Sequence, residues 1–97
     1  MSIVVIAEIE PAPYNEPAVE EALLAAVARV RSEDLGCEQY DLHHDARTGR
    51  FVMVERWAEQ SALESHAAGA AFAALGSALE GRLAVPIALR TLQPLDV

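Results

Sequence analysis

Three histidines, one tryptophan and one cysteine are among the rarer side chains of this chain. Of these, Trp57 and His66 hold the positions best suited to chemistry. Trp57 closes the strand-like run FVMVERW, and His66 lies on the helical stretch that follows. A strand end and the helix after it can face each other across a pocket. A neutral imidazole placed there takes or gives a proton near pH 7. An indole supplies a flat apolar wall and one N–H for a ligand. Each has a plainer alternative: a core histidine satisfied by a backbone or carboxylate partner, and a tryptophan that is simply the largest core residue. Residue type and spacing alone favour the plainer alternative for both.

Glu55 shares the strand face of Trp57, where a buried carboxylate needs a partner such as His66 or an arginine. Tyr40, Phe51, Met53 and Phe72 have the character of a flat hydrophobic pocket, although their spacing equally describes core. His43 and His44 stand beside Asp41 and Asp45, which invites a metal reading. Adjacent strand residues point to opposite faces, however, so the two imidazoles are poorly placed to chelate one ion. Cys37 has no CxxC partner and is given no redox role. The glycines are scattered singly, so there is no phosphate-cradling loop.

The elements that must position these residues follow from periodicity. Ile3 to Ile9 is β-branched and ends before Pro11 and Pro13, which predicts a strand with both faces covered. PAPYNEP is a loop in which Asn15 can cap a helix and Pro17 sits in its first turn. From Glu16 to about Ser32, Val19, Leu23, Ala26, Val27 and Val30 recur at helical spacing. SEDLG is a turn. Cys37 to His43 reads as a second strand, with Glu38, Tyr40 and Leu42 on one face and Cys37, Gln39, Asp41 and His43 on the other. DARTG connects it as a hairpin to Phe51–Trp57, whose Phe51, Met53, Glu55 and Trp57 share a face. Glu59 to Ser61 opens a second helix on which Leu63, His66 and Ala67 share a side. Gly69 breaks it, and a further helical piece carries Phe72, Leu75 and Leu79 as its apolar stripe. Ala84 to Leu92 is the last strand, with Pro86 at its beginning or edge. The order β-α-β-β-α-β is the ferredoxin-like arrangement, an α+β fold whose four-stranded antiparallel sheet carries helices on one face. The opposite face then needs a cover, and a second copy of the chain is the simplest one.

Ninety-seven residues, 53% of them hydrophobic, make one domain spanning 1–97, rich in apolar surface for its size. The net charge is −8, and all seven basic residues are arginine. An acidic surface with no basic cluster argues against a nucleic-acid partner. The apolar N-terminal run is broken by Glu8 and Glu10, too short for a membrane span or signal peptide. A single cysteine fits a reducing, cytoplasmic setting. Arginine in place of lysine, with abundant alanine, suggests a GC-rich bacterial source.

With these residues in view, the chain resembles the antibiotic biosynthesis monooxygenase family. The resemblance rests on GCEQYDLHHD (Gly36 to Asp45), GRFVMVERW (Gly49 to Trp57) and ALESHAAGAAF (Ala62 to Phe72), and covers nearly the whole chain in order. Its most specific part is E-x-W followed by L-x-x-H and a later Phe. The resemblance implies a dimeric α+β barrel, with two ferredoxin-like subunits packed sheet against sheet. It further implies a cofactor-independent monooxygenase acting with O2 on an electron-rich quinol or polycyclic phenol, with no flavin or metal. His66 would then handle the proton and Trp57 would be wall or N–H donor. Tyr40, Phe51, Met53 and Phe72 would bind the small aromatic substrate. A haem-degrading branch shares the fold and the Trp and His pair. Its members carry an asparagine on the first strand, where this chain reads Ala7, Glu8, Ile9. The alternatives to the oxygenase are a non-catalytic dimeric module for a small hydrophobic ligand and, behind it, a haem-binding protein.

Overall fold

The computed structural model describes residues 1–95. Seven elements run in the order β1 (Ile3–Ile9), α1 (Glu16–Glu33), β2 (Cys37–His44), β3 (Phe51–Trp57), α2 (Gln60–Ala67), α3 (Ala70–Leu79) and β4 (Ala88–Leu92). The strands form one antiparallel sheet in the order β2-β3-β1-β4. This is the ferredoxin-like α+β fold expected from the element order. Among the described residues no helix is long and apolar enough to cross a membrane.

Period-two alternation sets the core. Ile3, Val5, Ala7 and Ile9 of β1 and Phe51, Met53, Glu55 and Trp57 of β3 are all buried, while the residues between them are only half-buried. The register Ile3↔Trp57 through Ile9↔Phe51 puts both sets on one face. That face meets Val19, Leu23, Ala26, Val27 and Val30 of α1 and Ala71, Leu75 and Leu79 of α3 in one apolar cluster. Burial of this kind is the main favourable term in folding. The opposite face presents Val4, Ile6, Val52 and Val54, half-buried within this chain. The expectation that β1 is covered on both faces is therefore not met by one copy alone.

Several local expectations are corrected. Asn15 does occupy the N-cap of α1, but its amide donates to the Pro13 carbonyl (3.0 Å) and caps nothing. The pairing Cys37↔Trp57 is followed directly by Gln39↔Arg56, so a β-bulge stands at Glu38. A bulge places two residues opposite one and breaks the alternation. Cys37 accordingly falls in register with Trp57, and the expected split of β2 into two faces holds only beyond the bulge. The last strand is shorter than Ala84–Leu92, because Leu83 bridges Pro11 and the segment through Pro86 makes no ladder. On α3 the buried stripe is Ala71, Leu75 and Leu79, with Phe72 left 40% exposed on its flank. Gly69 separates α2 from α3 as the N-cap of the latter, as the glycine rule predicts.

Candidate functional site

Strand β3 ends with Glu55 and Trp57 on its buried face, and α2 returns over that end. His66, in the last turn of α2, is the buried residue of this short helix. Its ring lies across the Trp57 indole, with centroids 4.5 Å apart and planes tilted by 30°. Tyr40 of β2 meets His66 edge-on at 5.6 Å, and Phe72 does so at 5.2 Å. Tyr40 also meets Trp57 edge-on at 6.3 Å. The imidazole is thus enclosed by three aromatic rings and is only 4% exposed.

Two carboxylates serve the polar atoms of this cluster. The indole N–H of Trp57 donates to Glu55 Oε1 at 3.0 Å. Trp57 and Glu55 are two positions apart on a strand, so they point the same way. The sequence offered His66 or an arginine as the partner of Glu55, and the structure supplies Trp57. The indole N–H is therefore engaged within the chain, and serving a ligand would mean exchanging this bond. The second carboxylate is Asp34, whose Oδ2 lies 2.6 Å from His66 Nδ1. Its side chain is 14% exposed. Asp34 sits at the C-cap of α1, and no signal considered in the sequence had marked it.

Burial pushes the Glu55 carboxyl above the usual carboxylate range, with the Trp57 hydrogen bond and the His66 charge pulling partly back. Burial likewise raises the Tyr40 phenol, with the Glu55 charge adding to it. The Cys37 thiol is raised by burial first and Asp34 second, which leaves it protonated and unreactive at neutral pH.

The residues expected to line a pocket divide into two groups. Tyr40 and Phe72 touch His66, as described. Phe51 stands at the far end of β3, roughly 20 Å along the strand from Trp57 at ordinary strand rise, and its ring lies 5.1 Å from that of His44. Met53 lies between them, fully buried. His44 faces Phe51 while His43 Nδ1 lies 3.4 Å from the Val52 carbonyl, so the neighbouring imidazoles take opposite sides of the sheet. Among the described residues no group of three or more His, Cys, Asp or Glu is placed to hold a metal ion. A cleft of about 560 Å³ opens beside His66 and Asp34, between the α1–β2 turn and the start of α2. Leu35, Gly36, Ala58 and Ala62 give it apolar wall, and Glu33 and Glu59 give it acidic rim. Chemically, this is a nearly buried imidazole backed by a carboxylate, walled by aromatic rings and reached from one cleft.

In sequence and in fold the chain is similar to known proteins. Residues 2–76 match the family model described as Antibiotic biosynthesis monooxygenase. The chain is 33% identical over 94 residues to Rv0793 of Mycobacterium tuberculosis, a protein named provisionally as a monooxygenase, covering 97% of this chain and 92% of that one. The solved structure of Rv0793 superposes with a TM-score of 0.92 over 100% of this chain and 98% of its own. PA3566 from Pseudomonas aeruginosa follows at TM-score 0.88 and 35% identity, covering 97% and 94% of the two chains. A Caulobacter crescentus structure, described provisionally as an antibiotic biosynthesis monooxygenase, gives TM-score 0.91 at 25% identity over 98% and 91%.

Proposed function

The chain belongs to the antibiotic biosynthesis monooxygenase family, and from that premise we propose that it is a cofactor-independent monooxygenase oxidising a quinol-like or polycyclic phenolic substrate with O2. The observation that carries this reading is the stacking of His66 on Trp57, 4.5 Å between centroids, inside an aromatic enclosure. An electron-rich phenol, once deprotonated, can pass an electron to oxygen itself. The protein then needs to supply a base, a dry aromatic wall and a fixed orientation.

His66 is the base of the proposed reaction. Its Nδ1 is occupied by Asp34, and no second partner of the ring stands among the described residues, so Nε2 is the nitrogen left for substrate. The imidazolium formed on proton transfer would lie against the Trp57 face, where the ring quadrupole favours a cation. Tyr40 and Phe72 complete the wall. Phe51 and Met53 keep their place in the proposal as lining of a deeper apolar region, not as contacts of His66. Trp57 is assigned as wall ahead of N–H donor, because Glu55 already takes that hydrogen.

The proposal places the reaction in the cytoplasm and in a homodimer. The half-buried Val4, Ile6, Val52 and Val54 face supports a second copy as the cover, since apolar surface left on a small domain favours association. Sedimentation equilibrium should give twice the 10.4 kDa chain mass, and Val54→Arg should bring it down to the monomer. A wild-type monomer at working concentration would remove the dimer from the account.

The activity is tested by supplying purified protein with a panel of reduced naphthoquinols and anthrones while oxygen uptake is followed. Uptake should fall on His66→Ala and on Trp57→Ala. Uptake that both variants leave unchanged would remove the roles given to these residues. Binding without turnover that survives loss of His66 would favour a non-catalytic ligand-binding module.

A further inference from the structure

We propose that Asp34 is a positioning residue for His66: its carboxylate holds the imidazole in the tautomer whose Nε2 is free to receive a proton. This rests on the reading of His66 as the base. An ionised carboxylate only accepts hydrogen bonds, so at 2.6 Å from Oδ2 the Nδ1 atom must carry the proton. The neutral ring then has its lone pair at Nε2. Free imidazole side chains favour the opposite tautomer, so the carboxylate reverses the default. When Nε2 takes a proton, the imidazolium forms between the Asp34 carboxylate and the Trp57 face.

The local structure is built to keep this distance. Asp34 leaves α1 with extended backbone (φ −92, ψ 111), its N–H donating to the Val30 carbonyl at 3.0 Å. Gly36 follows with φ +80, and a Cβ there would stand only 2.6 Å from the Ala62 Cβ. The α1–β2 turn and α2 are thus in contact as close as glycine allows. The Ala58 N–H donates to the Gly36 carbonyl at 2.8 Å, tying the β3–α2 junction to the same turn. On the far side, a Cβ at Gly69 would meet the Ser65 carbonyl at 3.1 Å and Asp34 Oδ1 at 3.9 Å. The carboxylate is therefore bounded by backbone on one side and by the histidine on the other.

The other ionisable groups around the ring do not compete for this role. Glu55 on β3 is engaged by Trp57, and Tyr40 on β2 presents a ring edge. Cys37 on β2 is bonded to the Gln39 carbonyl at 3.7 Å, and α3 contributes only the Phe72 ring. Glu33 and Glu59 stand in the cleft wall, the first paired with Arg29 and the second with Ser61. Asp34 is the carboxylate that reaches the imidazole.

A purely structural hydrogen bond would be served almost equally well by asparagine, and that separates the two roles. The test is long-range nitrogen–proton NMR of the His66 ring in wild type, Asp34→Asn and Asp34→Glu, with kcat and KM measured on the same full-length proteins. The wild-type neutral ring should show its proton on Nδ1. Asp34→Asn should move it to Nε2, with circular dichroism unchanged, and lower kcat by about 100-fold or more while KM changes little, the signature of a wrong tautomer. Asp34→Glu should restore the Nδ1–H signal and part of kcat. A wild-type ring protonated at Nε2 would overturn the proposal even if the variants failed to fold. So would an asparagine variant that keeps both the Nδ1 proton and kcat. A tautomer switch in a protein that consumes no oxygen would instead leave the Asp34 hold in place and count against the oxygenase reading.

Discussion

Glu55 and Trp57 close a hydrogen bond of 3.0 Å in the interior, the carboxylate 5% exposed and the indole fully buried. Burial raises the carboxyl above its ordinary value, although the indole N–H and His66 moderate the shift. The folded protein therefore holds a proton on Glu55 at pH values where the unfolded chain has lost it. Stability from this group is full below the unfolded value and is lost as pH rises through the raised folded one. Glu55→Gln keeps an oxygen for the indole and removes the ionisation. Urea denaturation at a series of pH values should show the wild type losing stability relative to this variant as pH climbs above the ordinary carboxylate range. Parallel curves would show that the burial of Glu55 has no such consequence.

Gly36 makes a second, purely steric claim. Alanine there must adopt φ +80 and place its Cβ 2.6 Å from that of Ala62. The backbone strain and the overpacking should each cost on the order of 1–3 kcal/mol. Adding Ala62→Gly should recover the second part and not the first. Equilibrium unfolding of the single and double variants measures both. An alanine variant as stable as wild type would mean that this turn and α2 are not in the close contact on which the Asp34–His66 geometry depends.

Tyr40 should resist ionisation for as long as the protein stays folded. Tyr14 is 96% exposed, whereas Tyr40 is buried against Trp57 and His66 with its phenol pushed well upward, first by burial and then by the Glu55 charge. Phenolate absorbance of the wild type minus that of Tyr40→Phe isolates the Tyr40 step on an alkaline titration, and that step should appear only when the fold is lost. A Tyr40 step while the protein is still folded would mean that Tyr40 is open to water and that the aromatic enclosure is not dry.

Much of this architecture was legible because burial follows simple periods. The alternation in β1 and β3 and the 3.6-residue recurrence in α1 assign faces from residue type alone, and Gly69 marks the break between α2 and α3. Less was legible where one residue upsets the count. The bulge at Glu38 shifts Cys37 into register with Trp57, and the restart of the helix after Gly69 moves the stripe from Phe72 to Ala71. For β4, apolar character extends back to Ala84, but hydrogen-bond pairing begins only at Ala88. Within the site, type and spacing alone left Trp57, His66, Tyr40 and Phe72 as core, and only the family resemblance raised them to candidates. Asp34 could not be paired with His66, because the contact is purely tertiary. One signal was available: an acidic residue at a helix C-terminus opposes the macrodipole. Asp34, directly behind Glu33, stands against that preference and so invites a reason for its place.

Transfer of an oxygen atom from O2 to substrate, started by His66, is the core of the account. Metal-stripped, flavin-free protein should be incubated under 18O2 with an electron-rich anthrone, and the quinone product analysed by mass. Oxidation of one CH2 to C=O with release of water places one labelled oxygen in each product molecule. The account predicts labelled product from the wild type, formed about 100-fold or more slowly by a folded His66→Gln variant, in line with loss of a general base. Label appearing equally fast with His66→Gln, or only after a metal or flavin is restored, would contradict it.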